Sequence, residues 1–233
     1  PFLFMDIPPG NGLSDPYGAA EQAAFPWRGR INVSRDKSAS ARSEIERFVG
    51  LDGDFGFRHF ILHHARLARQ AGGVEAILIG SEMVEMTRAR DQNGRFPFAE
   101  ALQSIAQEVR AIVGPAVKIS YAADWTEYGA YAPSDSSGDV LFPLDDLWAE
   151  DAIDFIGVDW YPPASDWRNG DHHLDALAGF LSLEDAEYIE ANLEGGEAFD
   201  WYYASKADRD AQRRTPIRDT AHNEHWVFRA KDL

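Results

Sequence analysis

Four apolar stretches in this sequence each run into a carboxylate. Pro1 to Met5 leads to Asp6, Ala76-Ile77-Leu78-Ile79 leads through Gly80-Ser81 to Glu82, Val117 to Tyr121 leads to Asp124, and Ile153 to Val158 leads to Asp159. Two of these acids stand beside aromatic rings, Asp124 before Trp125 and Asp159 before Trp160 and Tyr161. A carboxylate can accept hydrogen bonds from sugar hydroxyls or move a proton at a glycosidic oxygen, and an aromatic ring stacks on the C–H face of a sugar. The combination points to a carbohydrate ligand. The plainer reading, in which each acid only caps the turn behind its strand, fits one such end better than four together. Trp27, Arg28 and Trp167 are loop residues that could add more distant contacts.

The elements that must position these acids alternate between helix and strand. Phe57, Phe60, Ile61, His64, Ala65 and Ala68 follow the i, i+3, i+4, i+7 spacing of an amphipathic helix, which Gly72-Gly73 end before a strand over Val74 to Ile79. Phe98, Ala101, Leu102, Ile105, Val109, Ile112 and Val113 mark a second helix, broken by Gly114-Pro115 before Val117 to Tyr121. Leu144 to Trp148 predicts a short third helix ahead of the strand from Ile153. With Pro1 to Ile7 as an earlier strand, the pattern is an α/β fold with a parallel sheet and helical crossovers, whose active site belongs at the carboxyl ends of the strands. In the last third, Ser182-Leu183-Glu184-Asp185 reads as a capping box, Ser205 to Arg214 as a solvated helix or loop, and Asn223 to Leu233 as helical. Four strands do not close an eight-stranded barrel: either the sheet is open, or the rest of the barrel lies outside this chain, in which case residues 1–233 hold one partial domain.

Composition narrows the function classes. The formal net charge of −17 disfavours nucleic acid and anionic membrane surfaces. The absence of cysteine excludes disulfides, thiolate catalysis and cysteine-ligated zinc. No apolar run approaches the roughly 20 residues of a membrane span, and no glycine-rich phosphate loop follows a strand. His59 and His63 share a helix face at i, i+4, yet no acid is placed beside them to complete a metal site. Asp135-Ser136-Ser137-Gly138-Asp139 has part of a calcium loop and is better read as a surface loop. No cofactor and no metal are expected.

Taken in order, these tracts resemble a known family. Ile79-Gly80-Ser81-Glu82 is similar to the strand-four motif of clan-A glycoside hydrolases, in which the Glu is the general acid/base; Ser81 stands where those enzymes carry Asn. Lys118 to Trp125 resembles their strand five, and Asp154 to Pro162 their strand six. More narrowly, Pro1-Phe2-Leu3-Phe4-Met5-Asp6-Ile7-Pro8 with Phe25-Pro26-Trp27-Arg28-Gly29-Arg30 resembles the TIM-barrel-like domain of gene transfer agent and phage tail host-specificity (baseplate) proteins. The resemblance implies a glycoside-hydrolase-like (β/α)₈ TIM barrel, represented here by about strands three to six and their helices. It implies Glu82 as acid/base of a retaining mechanism, with the nucleophile outside this chain, and Asp6, Trp27, Arg28, Asp124, Trp125, Asp159, Trp160 and Tyr161 as substrate-binding residues. The implied partners are a bacterial surface or cell-wall glycan and other tail domains, with the protein in the tail of a virion or phage-like particle. The alternative is a barrel that has lost catalysis and serves as a structural or receptor-binding module.

Overall fold

Helix and strand boundaries follow from capping and packing in a computed structural model that describes residues 7–15, 19–24, 26–50, 54–218 and 229–232. The chain divides into two compact units, Pro1–Trp160 and Tyr161–Leu233. The strand expected over Pro1 to Ile7 lies almost wholly outside the described residues, as does most of the helix expected over Asn223 to Leu233.

In the first unit, α1 (Ala39–Val49) starts where the Ser38 side chain accepts the Ala41 N–H, and buries Ala41, Ile45 and Val49 along one stripe. Helix α2 (Phe57–Gln70) buries Phe57, Ile61, Leu62 and Ala65; His64, expected on the stripe, is half-buried and pairs with the Phe60 carbonyl through Nδ1. Strand β1 (Ala76–Ser81) follows, then the short α3 (Val84–Arg88). Helix α4 (Pro97–Val113) opens with proline at its first position, where no N–H is needed, and buries Phe98, Leu102, Ile105, Ala106 and Val109. Strand β2 (Lys118–Asp124), α5 (Asp145–Trp148) and β3 (Gly157–Asp159) follow.

The three strands form an open parallel sheet in the order β1-β2-β3, and the described residues form no closed barrel. Ala76 pairs with Lys118 and Ala122 with Gly157, and the β1–β2 register breaks between Leu78 and Ser81, just ahead of Glu82. Both long strands run past their apolar tracts, to Ser81 and Asp124. The third is shorter than expected, and the reason is visible. Ahead of Gly157, the Asp154 carboxylate takes the Ile119 N–H at 2.7 Å, and the Ser120 hydroxyl donates to the Phe155 carbonyl at 2.5 Å. Side chains there replace part of the ladder that would extend β3 backwards.

Behind the sheet, Phe57 and Phe98 meet at 5.5 Å between ring centroids, with Phe48 stacked on Phe57. These rings are part of an apolar core that also takes in Ile61, Ile79, Met83, Leu102, Ile105, Ile119 and Tyr121. Gly80 packs closely against it: a Cβ there would lie 3.1 Å from the Phe57 ring and 3.2 Å from the Tyr121 ring.

The second unit is smaller and has a polar centre. It contains α6 (Leu174–Leu177), α7 (Ala186–Leu193), the antiparallel pair β4 (Trp201–Tyr202) and β5 (Thr215–Pro216), and α8 (Lys206–Asp210) between them. Asp185, the last residue of the expected capping box, is the one whose side chain caps α7. Buried Asp166 and Asp175 both bind Arg214, at 2.8 and 2.6 Å, and the hydroxyls of Tyr203 and Tyr188 complete the cluster. Lys231 donates to the carbonyls of Asn192 and Gly195 at the end of α7. Among the described residues, no helix is long and apolar enough to cross a membrane.

Candidate active site

Glu82 is the first residue after β1 and has a positive φ of 52°, unusual for a side-chain-bearing residue. Its N–H donates to the Ala122 carbonyl at 2.8 Å, so the turn stays tied to β2. The side chain is buried, and a single oxygen is held twice. The Trp27 indole N–H donates to Oε2 at 2.6 Å, and Nη2 of Arg28 donates to the same oxygen at 2.9 Å. Among the described residues, no donor meets Oε1.

Arg28 does more than pair with Glu82. Its Nε donates to the Ser81 carbonyl and its Nη2 to the Ser81 hydroxyl, both at 2.8 Å. Ser81 in turn donates to Oδ2 of Asp159 at 2.8 Å. One guanidinium and one hydroxyl thus link the end of β1 to the end of β3 across β2. Arg28 sits in a 3-10 turn, Arg28–Arg30, where the indole of Trp27 covers Gly29; a Cβ on Gly29 would fall 2.4 Å from that ring.

Beneath this layer lies a second carboxylate that sequence reasoning passed over. Glu127 is 2% exposed. Its Oε1 accepts from the Thr87 hydroxyl at 2.7 Å and the Tyr121 hydroxyl at 2.8 Å, and its Oε2 accepts the Asp124 N–H at 2.9 Å. Burial pushes its carboxyl up to about 7, only partly offset by the hydrogen bonds from Thr87, Asp124 and Tyr121. Burial likewise pushes the Tyr121 phenol well above its ordinary value, with the Glu127 charge adding to the effect.

The other expected residues divide. Asp124 commits Oδ1 to the N–H and hydroxyl of Thr126, the capping role any strand-end acid can take. Trp125 is 41% exposed at the rim, and its N–H reaches the Asp159 carbonyl, extending the β2–β3 pairing. Trp160 is half-buried. Tyr161 is exposed and opens the second unit. Asp6 lies outside the described residues. Trp167 packs within the second unit, 4.4 Å from the His173 ring and 5.3 Å from Tyr188. The structure therefore brings together Trp27, Arg28, Glu82 and, through Ser81, Asp159, with Asp124 and Trp125 at the end of the strand between. Among the described residues, no group of three or more His, Asp or Glu is arranged to hold a metal, His59 and His63 included.

The family model of the GTA TIM-barrel-like domain matches residues 55–233. The chain belongs to the GTA TIM-barrel-like domain family. No curated protein matches it. The ends of β1, β2 and β3 fall inside the GTA TIM-barrel-like span, whereas Trp27 and Arg28, which hold Glu82, precede it.

Proposed function

We propose that this GTA TIM-barrel-like domain acts on a bacterial cell-surface or cell-wall glycan, as part of the tail of a gene transfer agent or phage-like particle, with Glu82 as general acid/base. The observation that carries this reading is the one-sided hold on Glu82. Trp27 and Arg28 both need a lone pair on Oε2, so the proton for a leaving glycosidic oxygen belongs on Oε1, which no described donor meets. After bond cleavage the same oxygen would activate water. Arg28, Ser81 and Asp159 would fix sugar hydroxyls, and Trp125 and Trp160 offer rings for stacking. A retaining mechanism also needs a nucleophilic carboxylate roughly 5 Å from the acid/base, and the proposal places it on a strand outside those described.

The 2.9 Å ion pair between Arg28 and Glu82 favours a second reading, a barrel that binds the glycan without cleaving it. There Glu82 would act only as an acceptor for hydroxyls. The two readings separate in one assay of the full-length protein on a panel of bacterial glycans. The enzyme reading predicts release of reducing ends by the native protein and loss of at least 100-fold in rate for Glu82→Gln, in line with removal of a general acid. Binding to a glycan with no cleavage supports the second reading, and hydrolysis unaffected by Glu82→Gln refutes the first.

A further inference from the structure

The Tyr121 hydroxyl stands between the Glu127 carboxylate and the backbone of the turn that carries Glu82. It donates to Oε1 of Glu127 at 2.8 Å and accepts the N–H of Met83 at 2.6 Å. That N–H belongs to the peptide immediately after Glu82, at the turn where the Glu82 φ is positive. A left-handed residue outside glycine persists only when its surroundings hold it. Here the Ala122 carbonyl holds the N–H before the Glu82 side chain and the Tyr121 hydroxyl holds the N–H after it. Tyr121 is fully buried, and its phenol oxygen is oriented by Glu127, which is itself fixed by Thr87 on α3 and by the Asp124 N–H.

We infer that Glu127 is a positioning residue for Glu82, acting through the Tyr121 hydroxyl to hold the Glu82–Met83 peptide and so aim the Glu82 carboxylate at Trp27 and Arg28. As an account of regulation of the site it rests on the proposed role of Glu82; as a statement of geometry it stands apart from that role. An uncharged amide cannot reproduce the arrangement. Ionised Glu127 accepts at both oxygens, whereas glutamine would turn an NH₂ toward either the Asp124 N–H or the hydroxyls. Phenylalanine at 121 keeps the ring and removes only the bridge.

The Trp27 indole reports on the aim, because its N–H bonds to a carboxylate oxygen and charge-assisted bonds are the short, strong ones. Its ¹H–¹⁵N resonance is assigned by its loss in Trp27→Phe and calibrated by its position in Glu82→Gln. Tyr121→Phe and Glu127→Gln are each expected to move it upfield toward the Glu82→Gln position, while the Trp167 and Trp201 indoles in the other unit stay in place. A Trp27 resonance unmoved in Tyr121→Phe overturns the inference, and that variant decides alone if Glu127→Gln does not fold. On a glycan the native protein cleaves, Tyr121→Phe is expected to lower kcat about 10- to 100-fold with KM within about twofold, the pattern of a misaimed group rather than a lost contact. An unchanged kcat also overturns the inference. If Glu82→Gln still cleaves, the functional reading fails, and the Trp27 resonance continues to decide the positioning.

Discussion

Replacing Glu127 by glutamine should change how stability depends on pH. The Glu127 carboxyl is displaced from 4.5 in the unfolded chain to about 7 in the fold, chiefly by burial. Because the folded value is the higher one, the folded state binds more protons than the unfolded state between these two points. The contribution of Glu127 to stability is therefore full below pH 4.5, falls as pH rises toward 7, and levels off above it. At about 1.4 kcal/mol for each tenfold change in proton activity, the loss across that window is roughly 3 kcal/mol. Glu127 is 2% exposed, so solvent screening removes little of it. Urea unfolding at pH 4.5, 6 and 8 on both proteins gives the test, since every other titrating group is common to both and cancels in the difference. The native protein should lose about 3 kcal/mol relative to Glu127→Gln over this range, although the variant is weaker at low pH through its mispaired amide. A difference that stays constant from pH 4.5 to 8 would refute the burial argument.

Three further outcomes follow from the packing. Phe98→Ala should cost about 3–5 kcal/mol in urea unfolding, because Phe98 is fully buried against Phe57 and Phe48; a cost under about 1 kcal/mol would mean the cluster is not the core. Gly157→Ala places a Cβ 2.6 Å from the Tyr121 carbonyl, so β3 must separate from β2, and amide exchange at Ala123 and Asp159 should speed up with exchange on α2 unchanged. Arg214→Ala leaves Asp166 and Asp175 buried without their shared cation, and should cost roughly 2–3 kcal/mol, below the full penalty for a sealed pair because Arg214 is 24% exposed.

Much of the first unit was legible in the sequence because it rests on periodicity. The stripes of α2 and α4 and the glycines that end them place both helices within a residue or two of their observed bounds. The apolar tracts before Glu82 and Asp124 locate two strands and make the carboxyl ends readable. Periodicity says nothing of hydrogen bonds made by side chains, so the replacement of early β3 pairing by Asp154 and Ser120 was not visible. The same limit applies at the site. Glu82 was found because it ends an apolar tract, but Trp27 and Arg28 reach it from 55 and 54 residues away, and only their residue types and the family resemblance of their tract marked them as candidates. Glu127 carried one faint signal, an acid three residues past Asp124 in a short polar turn. Its burial depends on Tyr121 and Thr87 converging from β2 and α3, a feature no local pattern encodes. The polar centre of the second unit, built on Asp166, Asp175 and Arg214, was hidden for the same reason: its members are scattered charges until the fold gathers them.

The central claim is that Glu82 moves a proton at a bound glycan. Its most direct test compares binding and cleavage of one glycan by the full-length protein and by Glu82→Gln. The account predicts that the variant binds with an affinity within severalfold of the native protein and cleaves at least 100-fold more slowly. Cleavage at the native rate by Glu82→Gln would contradict it.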